Sequence, residues 1–172
     1  LGIEDPERAA DAIVRRSTRA IDAVRLDHAE GTVWSVNIVS FGFSADVGEL
    51  TNRRYKPFGA GGYVLAVFQT LFGLRYHAFP HALDGGPFDS RPVTLLSFCN
   101  TRYTGGDMKM APDADPSDGE LDVVRIGTMR RRRFLASFPR IFQGTHHEMP
   151  EVQVGRAKLV TFAEIGPVSI MI

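Results

Sequence analysis

The sequence predicts an α+β domain, β-sandwich-like, with three or four helices packed on it. Two patterns point there. Short runs rich in Val, Ile, Phe and Thr, bounded by Gly, Pro, Asp or Asn, recur from end to end of the chain. Between them lie longer segments whose apolar residues fall at helical spacing. A third observation sets the scale: 172 residues, 44% of them hydrophobic, can bury a single core without disulfide staples.

Asp5-Pro6-Glu7 opens the first helix as an N-cap acceptor, a proline at the first helical position and an acid in the first turn. That helix is expected to run to about Arg16. Arg19 to Asp27 reads as a strand, Ala29-Glu30-Gly31 as a turn, and Thr32 to Phe43 as one long apolar strand. Ala45 to Arg54 suits a short helix. Gly59 to Leu74 suits a longer one that is apolar nearly all round, so it is either buried or lines an apolar cavity. Arg75 to Leu83 and Pro92 to Asn100 read as strands joined by the turn Asp84-Gly85-Gly86-Pro87. Leu121 to Ile126 is a further strand. Phe134, Leu135, Phe138, Ile141 and Phe142 mark a helix over Met129 to Phe142. Val152 to Ile165 alternates as a strand, and Val168 to Ile172 reads as another. The chain starts without a methionine and stops inside that last strand pattern, so it reads as a piece of a longer protein.

Composition excludes several classes. Twenty basic side chains balance 20 acidic ones, which argues against a nucleic-acid binder with its basic excess. The single cysteine, Cys99, cannot pair internally, which fits a reducing cytoplasm. Lying on an apolar strand, it reads as a buried hydrophobe. No apolar run reaches the roughly 20 residues that span a bilayer, and no signal-peptide pattern is visible.

The densest chemistry lies between Asn100 and Asp122: a glycine hinge at Gly105-Gly106, then Ala111-Pro112, then Asp113, Asp115, Asp118, Glu120 and Asp122 within ten residues. Clustered carboxylates repel one another unless a hard cation or hydrogen-bond donors compensate. An EF-hand is not met, because no glutamate stands at the twelfth position. Taken alone, the cluster reads as a solvated acidic loop.

The run Gly105-Gly106, Met108, Ala111-Pro112-Asp113-Ala114 and Asp118-Gly119-x-Leu121-Asp122 resembles the catalytic family of diacylglycerol kinases, which includes sphingosine and ceramide kinases and shares its fold with NAD kinases. Two further blocks agree in order. Asn37, Ser40, Phe41-Gly42-Phe43, Ala45-Asp46-Val47 and Asn52 to Lys56 form one. Phe142-Gln143-Gly144-Thr145-His146, Pro150-Glu151-Val152 and Arg156-Ala157 form the other. Leu1-Gly2-Ile3 is similar to the residues that follow the family's nucleotide loop.

The resemblance implies that residues 1–172 are the C-terminal, lipid-binding domain of a lipid kinase with an NAD kinase-like fold. A Gly-Gly-Asp-Gly-Thr loop for ATP would belong to an N-terminal nucleotide-binding domain before Leu1. The Asp-Gly-Glu segment bearing the catalytic base would follow Ile172. No catalytic residue is therefore assigned here, and the chain alone is expected to be inactive. ATP is the implied co-substrate, Mg²⁺ the implied metal, and diacylglycerol the first-choice lipid. The alternatives are a long-chain base, ceramide, NAD, or a non-catalytic lipid-binding module. The implied partners are lipid at a membrane surface and the nucleotide-binding domain, with a second copy of the chain a further candidate. The implied location is cytoplasmic and peripheral to the membrane.

Individual residues carry paired readings. By the resemblance, Asp118 would bind a structural Mg²⁺ together with the main-chain oxygens of Asp115 and Glu120; alternatively it only fixes its own turn. Lys56 would approach the nucleotide phosphates as a compact point charge, or merely end a helix. Asp46 would face a lipid headgroup, or cap the helix starting there. Tyr63 and Val67 on the apolar helix would contact the lipid chains. Gly48 departs from sphingosine kinases, which carry an aspartate there, and so favours a neutral lipid. Arg130 to Arg133 suits anionic headgroups or plain solvent. His146 and His147 lack ligand spacing and receive no role.

Overall fold

A computed structural model describes residues 5–105, 107–164 and 166–172, with the side chain of Ala60 outside the description. The readings of Leu1-Gly2-Ile3, Gly106 and Ile165 therefore lie outside the described residues. In chain order the elements are α1 (Pro6–Val14), β1 (Val24–His28), β2 (Gly31–Ser35), β3 (Ile38–Gly42) and α2 (Phe43–Leu50). A π-helical turn (Thr51–Tyr55) and a 3-10 turn (Lys56–Phe58) lead into α3 (Gly59–Phe72). Then come β4 (His81–Leu83), β5 (Val93–Cys99), β6 (Tyr103–Thr104), β7 (Met108–Lys109) and β8 (Leu121–Gly127). The chain closes with α4 (Arg131–Gln143), a 3-10 turn (His146–Glu148), β9 (Val152–Ala157), β10 (Val160–Phe162) and β11 (Ile170–Met171). The α+β expectation with four α-helices holds.

Five antiparallel strands in the order β11-β3-β5-β8-β9 form the central sheet. Strand alternation sends side chains to opposite faces and so divides the core in two. Ile38, Leu95, Cys99, Val124 and Ile126 point to the helical side, against Phe43 and Val47 of α2, Ala66 and Leu71 of α3, and Phe134 of α4. Val39, Phe41, Leu96, Phe98 and Val123 point the other way, against Leu26 of β1, Leu83 of β4, and Val160 and Phe162 of β10. The two-stranded ribbons β1-β2 and β4-β10 thus form the second layer of the sandwich. One polar pair sits in the helical-side core: the hydroxyls of Ser40 and Ser97, fully buried, share a 2.7 Å hydrogen bond.

Three long strand readings are corrected, each because the chain changes layers partway. The run from Thr32 to Phe43 breaks at Val36-Asn37, passing from the β1-β2 ribbon to the central sheet. Buried Asn100 holds the break: its side-chain amide donates to the Val36 carbonyl at 3.0 Å, and its backbone N–H to that of Asn37 at 2.8 Å. The run from Val152 to Ile165 breaks likewise at Lys158-Leu159. There one carboxylate oxygen of Asp84 accepts the backbone N–H groups of both residues, at 2.9 and 2.8 Å. The stretch from Arg19 to Asp27 becomes a strand only at Val24, because Asp22 is docked on the acidic turn through Pro116 and Gly119 instead of a ladder.

The hairpin expected around Asp84 is reduced to two isolated bridges, His77 with Val93 and His81 with Asp89, while β4 takes its ladder from β10. The helix read as Ala45 to Arg54 instead starts at Phe43, with Gly42 as N-cap. At φ 76° and ψ −133°, with the Thr94 carbonyl 2.7 Å from where a Cβ would stand, this position accepts only glycine. Asp5 caps α1 as the sequence predicts, accepting the Arg8 N–H at 2.7 Å.

Candidate functional site

A cavity of about 640 Å³ opens between α2, α3, α4, the helical face of the sheet and the β6-β7 hairpin. Its walls are mainly apolar: Ile38 and Leu95 from the sheet, Phe43 and Val47 from α2, Val64 and Val67 from α3, and Phe134, Phe138 and Ile141 from α4. Polar groups are few: Asn37, Ser44, Tyr63, Thr104, Ser137 and His146. That is the make-up of a site that buries an apolar ligand and orients it through a small number of hydrogen bonds. Burial pushes the Tyr63 phenol above its ordinary pKa, so it stays a neutral hydroxyl.

The walls follow from the local sequence. The three faces of α3 do different things. Ala66 and Leu71 are buried in the core, Tyr63, Val64 and Val67 border the cavity, and Leu65, Phe68 and Phe72 face outward at 51, 47 and 74% exposure. A helix without a polar side here serves core and cavity together and still leaves apolar surface open. Its approach to the π-helical turn is close: a Cβ at Gly62 would lie 2.2 Å from the Tyr55 carbonyl oxygen. Tyr55 also ties that turn to α3 by donating its hydroxyl to Gln69 at 2.5 Å. π-helical turns are uncommon and frequent at functional sites.

The structure places the remaining predicted residues elsewhere. Asp46 lies in the first turn of α2 without capping it, its carboxylate 3.3 Å from Nε2 of His77 and outside the cavity walls. Lys56 is exposed at the start of the 3-10 turn, next to Arg53 and Arg54 of the π-helical turn. Gly48 has open space where a side chain would stand. Arg130 to Arg132 are exposed at the N-terminus of α4, whereas Arg133 is paired with Glu151. Cys99 is fully buried and its thiol is driven far above the ordinary range by desolvation, so it is inert.

The acidic turn is organised by guanidinium groups. Arg156 ion-pairs with Asp118, lies 3.2 Å from Glu120 and 3.7 Å from Asp122. Asp118 also accepts the Glu120 N–H at 3.0 Å, and Asp115 accepts the backbone N–H and hydroxyl of Ser117 at 3.0 and 2.6 Å. Those Ser117 bonds, first among the causes, hold the Asp115 carboxyl below its usual pKa. Asp122 goes the other way, raised by burial despite Arg156. Among the described residues, no three His, Cys, Asp or Glu side chains converge as a metal cage. A cation here would rest on Asp118 and main-chain oxygens. Asp118 already gives one carboxylate oxygen to the Glu120 N–H and the other to Arg156, so such a cation would have to displace the guanidinium. The 47% exposure of the Arg156 side chain leaves it room to swing aside.

Several cavity residues received no role from the sequence, among them Ser44, Thr104, Ser137 and His146. His146 is 4% exposed and its Nε2 is 3.0 Å from the Met110 carbonyl oxygen. The signal that could have found it is Gly144, at φ 74°, where a Cβ would come within 2.9 Å of Pro112. That close approach lays the end of α4 on residues 109–112 and brings His146 to Met110.

Comparison with known proteins follows the same lines. Residues 37–171 match the model of the YegS C-terminal NAD kinase beta sandwich-like domain. The chain is 37% identical over 161 residues to a diacylglycerol kinase of Mycobacterium tuberculosis, covering 93% of this chain and 52% of that protein. It is 27% identical over 127 residues to a "Probable lipid kinase YegS-like" protein of Xanthomonas oryzae, covering 70% of this chain and 39% of that one. Among solved structures, a diacylglycerol kinase from Bacillus anthracis superposes with a TM-score of 0.64 at 17% identity, covering 95% of this chain and 51% of that one. That likeness shows the fold. The chain therefore spans about half the length, or less, of the relatives it matches.

Proposed function

Since the chain belongs to the YegS C-terminal NAD kinase beta sandwich-like domain family, we propose that it is the lipid-holding half of an ATP-dependent lipid kinase, with diacylglycerol as its lipid. The observation that carries this reading is the apolar cavity between α2, α3 and α4, with polar groups few in its walls. In the reaction proposed for the whole enzyme, acyl chains lie in this cavity and the lipid hydroxyl attacks the γ-phosphate of ATP held by a nucleotide-binding domain. Phosphoryl transfer is largely positioning and charge stabilisation. This chain supplies the positioning, with Tyr63 and Val67 against the lipid and Lys56, beside Arg53 and Arg54, toward the phosphates. Asp46 would reach the headgroup by leaving His77. The name of the mycobacterial relative and the absence of a side chain at Gly48 support a neutral glycerolipid over a long-chain base. The purified chain should bind dioctanoylglycerol by calorimetry yet release no ADP from Mg·ATP. Failure to bind any long-chain lipid would overturn the reading.

The exposed apolar side of α3 supports contact with a membrane surface. Phe58, Leu65, Phe68 and Phe72 are open to solvent beside Arg53, Arg54 and Lys56, a pairing of apolar and basic groups suited to anionic lipid. No helix among the described residues is long and apolar enough to cross a membrane. The chain should co-sediment with phosphatidylglycerol vesicles, and Phe68→Glu should release it. Equal sedimentation of both proteins would count against this face.

Mg²⁺ belongs to the same reading, held by Asp118 with the main-chain oxygens of Asp115 and Glu120. Bound there, it would brace the turn and take no part in phosphoryl transfer. Millimolar MgCl2 should raise the melting temperature of the wild-type chain and leave that of Asp118→Ala unmoved. A wild-type chain indifferent to MgCl2 would remove the metal.

A further inference from the structure

The cavity between α2, α3 and α4 is too small for two long lipid tails. A methylene group takes up about the room of a water molecule in the liquid, roughly 30 Å³. A volume of about 640 Å³ therefore holds on the order of twenty non-hydrogen atoms. At that packing a glycerol with one hexadecanoyl chain, or with two octanoyl chains, fills the cavity, whereas one with two hexadecanoyl chains needs roughly twice its volume.

The wall of the cavity offers the excess chain a place. Val64 lines the cavity and is itself 51% exposed. Phe68, four residues on, is its neighbour on the helix surface, and Leu65 and Phe72 continue the same exposed apolar stripe. From Val64 to Phe72 the stripe runs roughly 12 Å along α3. Cavity wall and outer face are thus one continuous apolar surface that passes over the rim at Val64.

We propose that the site houses one long acyl chain of its glycerolipid, and that the second chain lies outside, along Val64, Phe68 and Phe72 of α3. This count of chains rests on the reading of the cavity as a lipid site and refines it. At a membrane touched by the same face of α3, the outer chain stays in the bilayer and only one tail is drawn into the protein. The housed chain is enclosed and so limited in length. The outer chain keeps one side open and is free to vary.

The test uses monohexadecanoylglycerol, dioctanoylglycerol and dihexadecanoylglycerol, each carried on methyl-β-cyclodextrin so that no membrane is present. Affinities are measured for the wild-type chain and for Phe68→Ser/Phe72→Ser, two changes at exposed positions. The double variant should bind the first two lipids as the wild type does. It should bind dihexadecanoylglycerol roughly fourfold or more weakly, the contribution of at least one buried methylene. Val67→Trp, inside the cavity, should weaken all three. A diazirine at the end of each tail of dihexadecanoylglycerol should label both the cavity wall and the outer face of α3 in the wild type. That readout needs no variant, so it stands even if the double variant folds poorly. If labelling is confined to the cavity wall and the double variant keeps full affinity, both chains are housed and the one-chain count is wrong, while the lipid site stands. If dihexadecanoylglycerol alone fails to bind, the outer face holds no chain and the proposal falls, again without the lipid site. If none of the three binds, the lipid site and this proposal fail together.

Discussion

Asp89→Ala is expected to destabilise the protein by about 3 kcal/mol, lowering the melting temperature by roughly 6–12 °C. Arg125 is the reason. It points from β8 toward the ribbon layer at 9% exposure, and its Nε lies 3.2 Å from the Asp89 carboxylate without hydrogen-bond alignment. Its other contacts are 3.2 Å hydrogen bonds to the carbonyls of Arg91 and Pro92. Removing Asp89 leaves a buried guanidinium with no carboxylate partner among the described residues. The two partners respond to the pair differently. The Asp89 carboxyl is held well below the ordinary carboxylate range, first by its hydrogen bonds from Arg91, with Arg125 contributing less. Arg125 is itself pulled below the ordinary guanidinium range, because desolvation outweighs its attraction to Asp89. The pair therefore offsets the cost of burying Arg125 and is not a net gain in stability. A carboxyl depressed on folding contributes stability present above its unfolded pKa of about 3.9 and lost as pH falls through the folded value. Below pH 4 the wild type should thus lose more stability than Asp89→Ala, seen as convergence of their urea midpoints. Parallel pH profiles, or equal midpoints at pH 7, would contradict this account.

Val67→Trp should weaken lipid binding sharply. Val67 is half-buried on the α3 face that borders the cavity, packed at the edge of the helical-side core. An indole there projects into the space proposed for acyl chains. Dioctanoylglycerol affinity should fall by roughly tenfold or more, the equivalent of about 1.4 kcal/mol. The melting temperature should barely change, because the added bulk enters a cavity. If the helix were only core, the same change would overpack it and cost about 1–3 kcal/mol. Calorimetric affinity and melting temperature measured on one sample separate the two. A large stability loss with unchanged affinity would assign Val67 to the core.

Much of this was legible in the sequence, for reasons that are local. Caps and helical periodicity located α1, α3 and α4 because Asp5-Pro6 and the spacing Phe134, Phe138, Ile141 are short-range signals. The fold class followed from the alternation of such elements with apolar runs. The three over-long strands were not legible, since what breaks them is distant: Asn100 for the first, Asp84 for the second, the acidic turn for the third. The β6-β7 hairpin, two residues on each side, is too short for periodicity to show. That Tyr63 and Val67 border a cavity was legible because a helix apolar nearly all round demands an apolar neighbour. His146 was not, because its meaning depends on a carbonyl 36 residues away.

The measurement that bears most directly on the central claim is transfer of ³²P from [γ-³²P]ATP to dioctanoylglycerol by the full-length gene product, with and without Val67→Trp. The account predicts labelled phosphatidic acid from the wild type and a KM for the lipid raised roughly tenfold or more in the variant, at nearly unchanged melting temperature. Lipid binding without any labelled product from dioctanoylglycerol, ceramide or sphingosine would contradict it, and would make this domain a lipid carrier instead of half of a kinase.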